Sequence, residues 1–200
     1  MVNTTSKSQD LWLRASLQDG FFTARQAHDV GYDTNGQSYQ VKVGNWIREH
    51  RGIYRFANYP LPERPDLMKW RLWSCNRKGE PQGVYSHETA LSLYEVSDVN
   101  PARIHMTVPR GFRRNAAIPK ILVLHFDTVA LNEIGEMQGV AITTPIRTLI
   151  DVINERTLTG DLLEQAVTQC LQQGLVTLTS LAKARAEHSQ VDQLLKGMGR

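Results

Sequence analysis

The stretch Thr34-Asn35-Gly36-Gln37-Ser38-Tyr39-Gln40-Val41-Lys42-Val43-Gly44-Asn45-Trp46-Ile47-Arg48-Glu49-His50-Arg51-Gly52-Ile53-Tyr54-Arg55-Phe56 changes its hydrophobic period halfway along. Up to Val43 it reads as a helix, because Thr34 and Gln37 have the three-residue spacing of a capping box and Gly44 supplies a stop. From Trp46 the pattern alternates, and Arg51-Gly52 divides two alternating runs as the turn of a hairpin does, with glycine taking the positive φ. On a wheel at about 100° per residue, Tyr39, Val43 and Trp46 share one face and are expected to pack inward. Thr34, Gln37, Ser38, Val41 and Asn45 fall opposite, with Lys42 at the edge. That face offers amides and hydroxyls to base edges and a valine to a thymine methyl group. With Arg51-Gly52 as a two-residue turn, Ile47, Tyr54 and Phe56 face the core and Arg48 stands opposite Arg55. Like charges so placed are unfavourable in an isolated sheet, and phosphate oxygens shared between them would relieve the conflict. Arg51 at the tip is expected to reach a neighbouring phosphate or the minor groove.

Toward the N-terminus, Ser8 to Gln18 reads as a helix with Leu11, Ala15 and Gln18 at helical spacing, closed by Asp19-Gly20. Thr23 and Gln26 form a second capping-box pair, and Gly31 ends the short helix that follows. Helix, helix-turn-helix and hairpin, in that order, predict a winged helix-turn-helix whose second paired helix enters the major groove. On this reading Thr34, Gln37, Ser38, Val41, Lys42 and Asn45 read bases, and Arg25, Arg48, Arg51 and Arg55 hold phosphates.

Toward the C-terminus, Tyr59-Pro60-Leu61-Pro62-Glu63-Arg64-Pro65 reads as an extended linker, which divides the chain into a DNA-binding domain over 1–60 and a mixed α/β domain over 61–200. The predicted fold class is therefore α+β. In the second part, helices are expected over Asp66 to Asn76 and Ser86 to Val96, strands over Arg103 to Val108, Ile121 to Phe126 and Val140 to Thr143, and a helix from Pro145 to Ile153. Further helices are expected over Asp161 to Gln172, Leu178 to Glu187 and Val191 to Lys196. Arg110, Arg113, Arg114 and Lys120 make the most basic stretch of this part, around Phe112, and read either as a loop for phosphate or an acidic partner or as solvated surface. Trp70 and Trp73, with Leu67, sit at helical spacing and are expected in a core.

The bulk composition narrows this little. The 200 residues carry Lys+Arg 23 against Asp+Glu 20, a formal net charge of +3. So mild an excess does not by itself point to nucleic acid. Met1 to Lys7 holds no apolar stretch, and the longest aliphatic run, Ile121 to Leu124, is far too short to span a bilayer, so a cytoplasmic protein without membrane association is expected. Cys75 and Cys170 match no metal or redox spacing and are expected as two buried thiols. The six histidines are scattered along the chain without a paired metal spacing, and no nucleophile, acid pair or phosphate loop stands out. No metal, cofactor or catalytic residue is therefore expected.

Phe22-Thr23-Ala24-Arg25-Gln26-Ala27, Gly31-Tyr32, Gly44-x-Trp46-x-Arg48 and Arg51-Gly52-Ile53-Tyr54-Arg55 together resemble the N-terminal module of AbiEi-type antitoxins. The similarity continues through Ser86-His87-Glu88-Thr89-Ala90-Leu91, His105-Met106-Thr107-Val108-Pro109-Arg110, Gly139-Val140 and Thr143-Thr144-Pro145-x-Arg147-Thr148-Leu149-Ile150-Asp151. The resemblance implies a winged-helix repressor of its own promoter, binding double-stranded DNA at inverted repeats with self-association on the DNA left open. It also implies a C-terminal domain that neutralises a co-encoded nucleotidyltransferase-like toxin, in a type IV arrangement without stable complex formation. Two alternatives remain beside it: a ligand-responsive winged-helix regulator unrelated to a toxin, and a nuclease targeted by the winged helix.

Overall fold

A computed structural model describes residues 4–197; Met1 to Asn3, part of the N-terminal stretch expected to hold no apolar segment, lie outside the described residues. The chain is α+β and divides into two compact units, residues 1–82 and 83–200. The first holds helix α1 (Thr4–Ser16), strand β1 (Phe21–Thr23), helices α2 (Ala24–Asp29) and α3 (Thr34–Lys42), strands β2 (Trp46–His50) and β3 (Ile53–Phe56), and helix α4 (Pro65–Trp73). The division falls beyond the expected linker at 60/61, for a physical reason: Pro65 starts α4 at the first helical position, and α4 packs on β1 and β3. Leu67, Met68, Trp70, Leu72 and Trp73 of α4 are all buried.

The core of this unit is aromatic. Phe22, Tyr32, Trp46 and Phe56 close around Leu11, Ala15 and Ala27, with Trp12, Val41, Tyr54 and Tyr59 at the margin. Trp46 is its hub, edge-on to Phe22 at 4.8 Å and to Tyr32 at 4.9 Å. Burial of each such ring is worth roughly 1.5–3 kcal/mol, a large share for so small a unit. The Asp19-Gly20 turn that ends the first helical segment needs its glycine twice over: φ is +78°, and a Cβ would lie 2.3 Å from the Tyr59 ring. The chain then enters β1, a short strand the sequence reading did not anticipate, which completes an antiparallel sheet in the order β1-β3-β2.

The second unit holds β4 (Val84–Tyr85), α5 (His87–Leu93), β5 (Ile104–Val108), β6 (Leu122–Phe126), β7 (Ile134–Met137), β8 (Val140–Thr143), α6 (Pro145–Glu155), α7 (Gly160–Gln172), α8 (Leu178–Glu187) and α9 (Ser189–Gly197). Its mixed sheet runs β6-β5-β4-β8-β7, parallel at β5/β6 and β4/β8 and antiparallel elsewhere. All five residues of β5 are buried, so this strand shows no alternation for a sequence pattern to catch. Leu91, Leu149, Val152, Leu163, Val167 and Leu181 bring α5 to α8 together in one apolar core that also encloses Cys170. Cys75 is only half-buried, so the expectation of two buried thiols holds for one of them. No helix among the described residues is long and apolar enough to cross a membrane.

Candidate nucleic-acid interface

Helix α3 is capped one residue earlier than expected. Asp33 Oδ1 accepts from the Gly36 backbone N–H at 2.7 Å, so Thr34 is the first helical residue rather than the cap. The Gln37 side chain, no longer needed for a capping box, turns inward and donates to the carbonyls of Tyr32 at 3.0 Å and Ala24 at 3.1 Å. Gln37 is 7% exposed and both its donors are spent, so it is a tie between α2 and α3 and not a base reader. By contrast the Thr23–Gln26 capping box forms in both directions, as its sequence spacing predicted.

With this phase the outward arc of α3 carries Thr34, Asn35, Ser38, Tyr39, Lys42 and Val43, all exposed, and Asn45 follows just beyond the helix end. Val41 is half-buried against the aromatic core, the reverse of the expected arrangement, while Tyr39 is 60% and Val43 46% exposed. The helical phase does not extend to Trp46. Trp46 belongs to β2, where pairing with Phe56 and not the helical period fixes its direction. Ser38 Oγ donates back to the Thr34 carbonyl, and Asn45 Nδ2 to Gln40 Oε1, which leaves an accepting oxygen on each.

The β2–β3 hairpin turns at Arg51-Gly52, with Gly52 at φ +74° and His50 opposite Ile53 as expected. A bulge at Glu49 then shifts the register by one, so Arg48 pairs with Tyr54 and Arg55 with Ile47. The expected Arg48–Arg55 pair therefore does not exist, and Ile47 lies 40% exposed rather than in the core. Arg55 is buried: its Nε donates to Glu49 Oε1 at 3.0 Å, its terminal nitrogen to the Phe56 carbonyl at 3.2 Å, and its guanidinium lies 5.9 Å from the Phe21 ring centroid. It is a structural ion pair, buried where an exposed cation was expected. Arg25, Arg48 and Arg51 are exposed, Arg25 with only a long 4.0 Å contact to Asp29. Four cationic side chains, these three and Lys42, thus remain outward on α2, α3 and the hairpin.

In the second unit the basic stretch lies in the loop between β5 and β6. Phe112 anchors it from inside at 5% exposure; Arg110 is ion-paired to Asp127 at 3.0 Å, Arg113 donates to the Phe112 carbonyl, Arg114 lies over the Phe112 ring, and Lys120 is exposed. Asp127 also meets Arg147, which binds Glu133 at 2.8 Å and Asp151 at 2.7 Å and so gathers three carboxylates at the start of α6. Burial pushes Asp151 up to about 6 despite the Arg147 guanidinium.

The histidines that looked scattered converge here. His87 at the start of α5 stacks on His125 of β6 with ring centroids 3.5 Å apart and 11° between planes, and His105 Nδ1 of β5 lies 3.1 Å from His125 Nε2. Glu155 at the end of α6 reaches His125 Nδ1 at 2.8 Å. Burial and then the neighbouring imidazoles push His87 down to about 3 and His105 to about 4; His125 is lowered by burial against the opposing pull of Glu155. His87 holds its place at φ +53°, a left-handed conformation that costs a non-glycine residue of order 1–3 kcal/mol. No local spacing signals this cluster, because sheet pairing between β5 and β6 and the packing of α5 and α6 assemble it.

No family model matches the chain, and no curated protein matches it. Among solved structures the chain is similar to the crystal structure of the RV2827C protein from Mycobacterium tuberculosis, at 10% identity and a TM-score of 0.53, over 96% of this chain and 76% of that one. At this identity the likeness concerns the fold alone.

Proposed function

We propose that the first unit is a winged helix-turn-helix that binds double-stranded DNA, with α3 in the major groove and the β2–β3 hairpin as the wing. The observation that carries this reading is the outward arc of α3, with exposed Arg25 on α2 before it in the chain and exposed Arg48 and Arg51 on the hairpin after it. Thr34, Ser38, Lys42 and Asn45 supply hydrogen bonds to base edges, and exposed Tyr39 and Val43 supply apolar contact of the kind that recognises a thymine methyl group. The cations hold phosphates and set the register. Gln37, Val41 and Arg55 have no part in contact with DNA on this reading; they hold the presenting elements.

The same proposal takes the whole chain as an autorepressor and antitoxin that counteracts a co-encoded nucleotidyltransferase-like toxin. Its support is the ordered sequence resemblance to AbiEi-type antitoxins, which runs through both units. The test has two arms. A gel-shift titration of the full chain on the DNA upstream of its own gene should show saturable binding that competitor DNA of random sequence does not match. Co-expression with the neighbouring gene should restore growth. Binding without rescue would retain the repressor and discard the antitoxin; equal affinity for promoter and random DNA would discard the repressor.

A further inference from the structure

His87, His125 and Glu155 come from three elements, and their nitrogen and carboxylate atoms lie within 4.8 Å of one another. His125 Nδ1 is 2.8 Å from Glu155 Oε2, whereas His87 Nε2, 3.4 Å from Glu155 Oε1, is buried and makes no hydrogen bond. A buried polar atom left so costs the fold stability. The far nitrogen of each ring is already held: His87 Nδ1 lies 2.9 Å from Ser86 Oγ, and His125 Nε2 lies 3.1 Å from His105 Nδ1. Ser86 Oγ accepts from Thr107 and has a second lone pair for a His87 Nδ1–H. In that tautomer the Nε2 lone pair of His87 faces a carboxylate oxygen, two acceptors with nothing positive between them.

We propose that His87 Nε2, His125 Nδ1 and the Glu155 carboxylate form a binding site for a divalent transition-metal ion, and Zn²⁺, which two imidazoles and one carboxylate hold with a position left open, is the probe ion. The cation supplies what the pair of acceptors lacks. His105 is the outer partner that orients His125, and Ser86 holds His87 in the stacked position from which it turns. Glu155 is half-exposed, which opens the site on one side to a fourth ligand from solvent.

Binding rearranges two things. An imidazole holds a metal ion in its own ring plane, so two rings stacked 11° from parallel cannot both bind until one turns and the stack opens. Ligation through His125 Nδ1 also moves that proton to Nε2, which then donates to His105 Nδ1. His105 in turn carries its proton on Nε2, facing Glu88 Oε2 at 3.9 Å, and no proton is lost from the set.

Calorimetric titration of the full chain with ZnCl₂ should show one saturable site. Glu155→Gln, at a half-exposed position that leaves the core untouched, should weaken it by at least about tenfold, the loss typical even for an outer-shell partner, and His28→Ala, on the exposed side of α2, should not change it. Because His87→Gln lies in the core and is liable to misfold, the second measurement uses the unaltered chain: ring-proton resonances of His87 and His125 should shift together on adding Zn²⁺. The absence of a saturable site, Glu155→Gln binding as tightly as the parent, or shifts confined to exposed His28 would each overturn the proposal.

Discussion

The outward side of α3 with its hairpin and the imidazole cluster of the second unit are both concentrations of polar side chains, built in opposite ways. The first is written in one short stretch, Thr34 to Arg51, and its groups stand in water. The second draws on positions 87, 105, 125 and 155 and puts the three imidazoles out of water. Exposed cations cost little to place, so such a surface acquires meaning only from what it meets. Buried imidazoles cost stability wherever they are not hydrogen-bonded, so their presence asks what the fold gains by holding them. Arg48 and Arg55, on adjoining strands, repeat the contrast within one hairpin: one stands in solvent, the other donates to a carboxylate and a carbonyl.

The largest effect should come from the residue that ties the presenting surface to its core. Trp46→Ala removes the hub of the aromatic cluster and should cost about 3–5 kcal/mol, enough to unfold the first unit; urea unfolding that shows a loss below about 1 kcal/mol would contradict the packing described. Next come the two buried members of the originally expected contact set. Arg55→Ala leaves the half-buried Glu49 carboxylate without its ion pair, and Gln37→Ala leaves the Tyr32 carbonyl without its side-chain donor. Each should lower stability by about 1–3 kcal/mol while promoter-to-random discrimination, measured on the folded fraction, stays unchanged. Lys42→Ala should do the reverse, keeping stability within about 0.5 kcal/mol and reducing discrimination by about 1–3 kcal/mol.

Acidification probes the other side of the comparison. The folded-state values of His87 and His105, about 3 and about 4, lie below the unfolded value of about 6.5. Stability from these groups is therefore full above about pH 6.5 and is lost as the pH falls from there toward 4, because the unfolded chain takes up protons that the folded one refuses. Asp151, raised to about 6, and Glu88, also raised, work in the opposite sense below about pH 6, and the ion pairs of Glu155 and Arg147 border the same region. The lowered values of His87 and His105 outweigh the raised value of Asp151, so thermal melts should show a falling midpoint from pH 7 to pH 5, with a shallower fall in His105→Gln. A midpoint that rises on acidification would reverse the assignment.

What the sequence made legible follows the same divide. The Thr23–Gln26 box, the Gly44 stop, the Arg51-Gly52 turn, strand β8 and helix α8 are local signals, and the structure carries each of them. The face of α3 was misread because a strand residue, Trp46, was allowed to set a helical phase, and the hairpin register because a single bulged residue, Glu49, leaves no mark on an alternating pattern. Strands β1, β4 and β7 escaped notice for shortness or weak alternation, and the domain boundary because a proline-rich segment can lead into a buried helix as readily as into a linker. The imidazole cluster was beyond local reading altogether, since only the pairing of β5 with β6 and the ends of α5 and α6 bring its members together.

The central claim is that the exposed cations of the first unit, and not the buried one, face the phosphates of DNA. Affinity for the upstream DNA, measured by fluorescence anisotropy across a salt series, tests it directly. Replacing Arg48 and Arg51 together by alanine should flatten the slope of log affinity against log salt by about 1.8, the equivalent of two phosphate contacts, with stability nearly unchanged. Arg55→Ala, assayed at a temperature where it stays folded, should keep the parental slope. A slope unaffected by the double substitution, or one flattened by Arg55→Ala alone, would contradict the account.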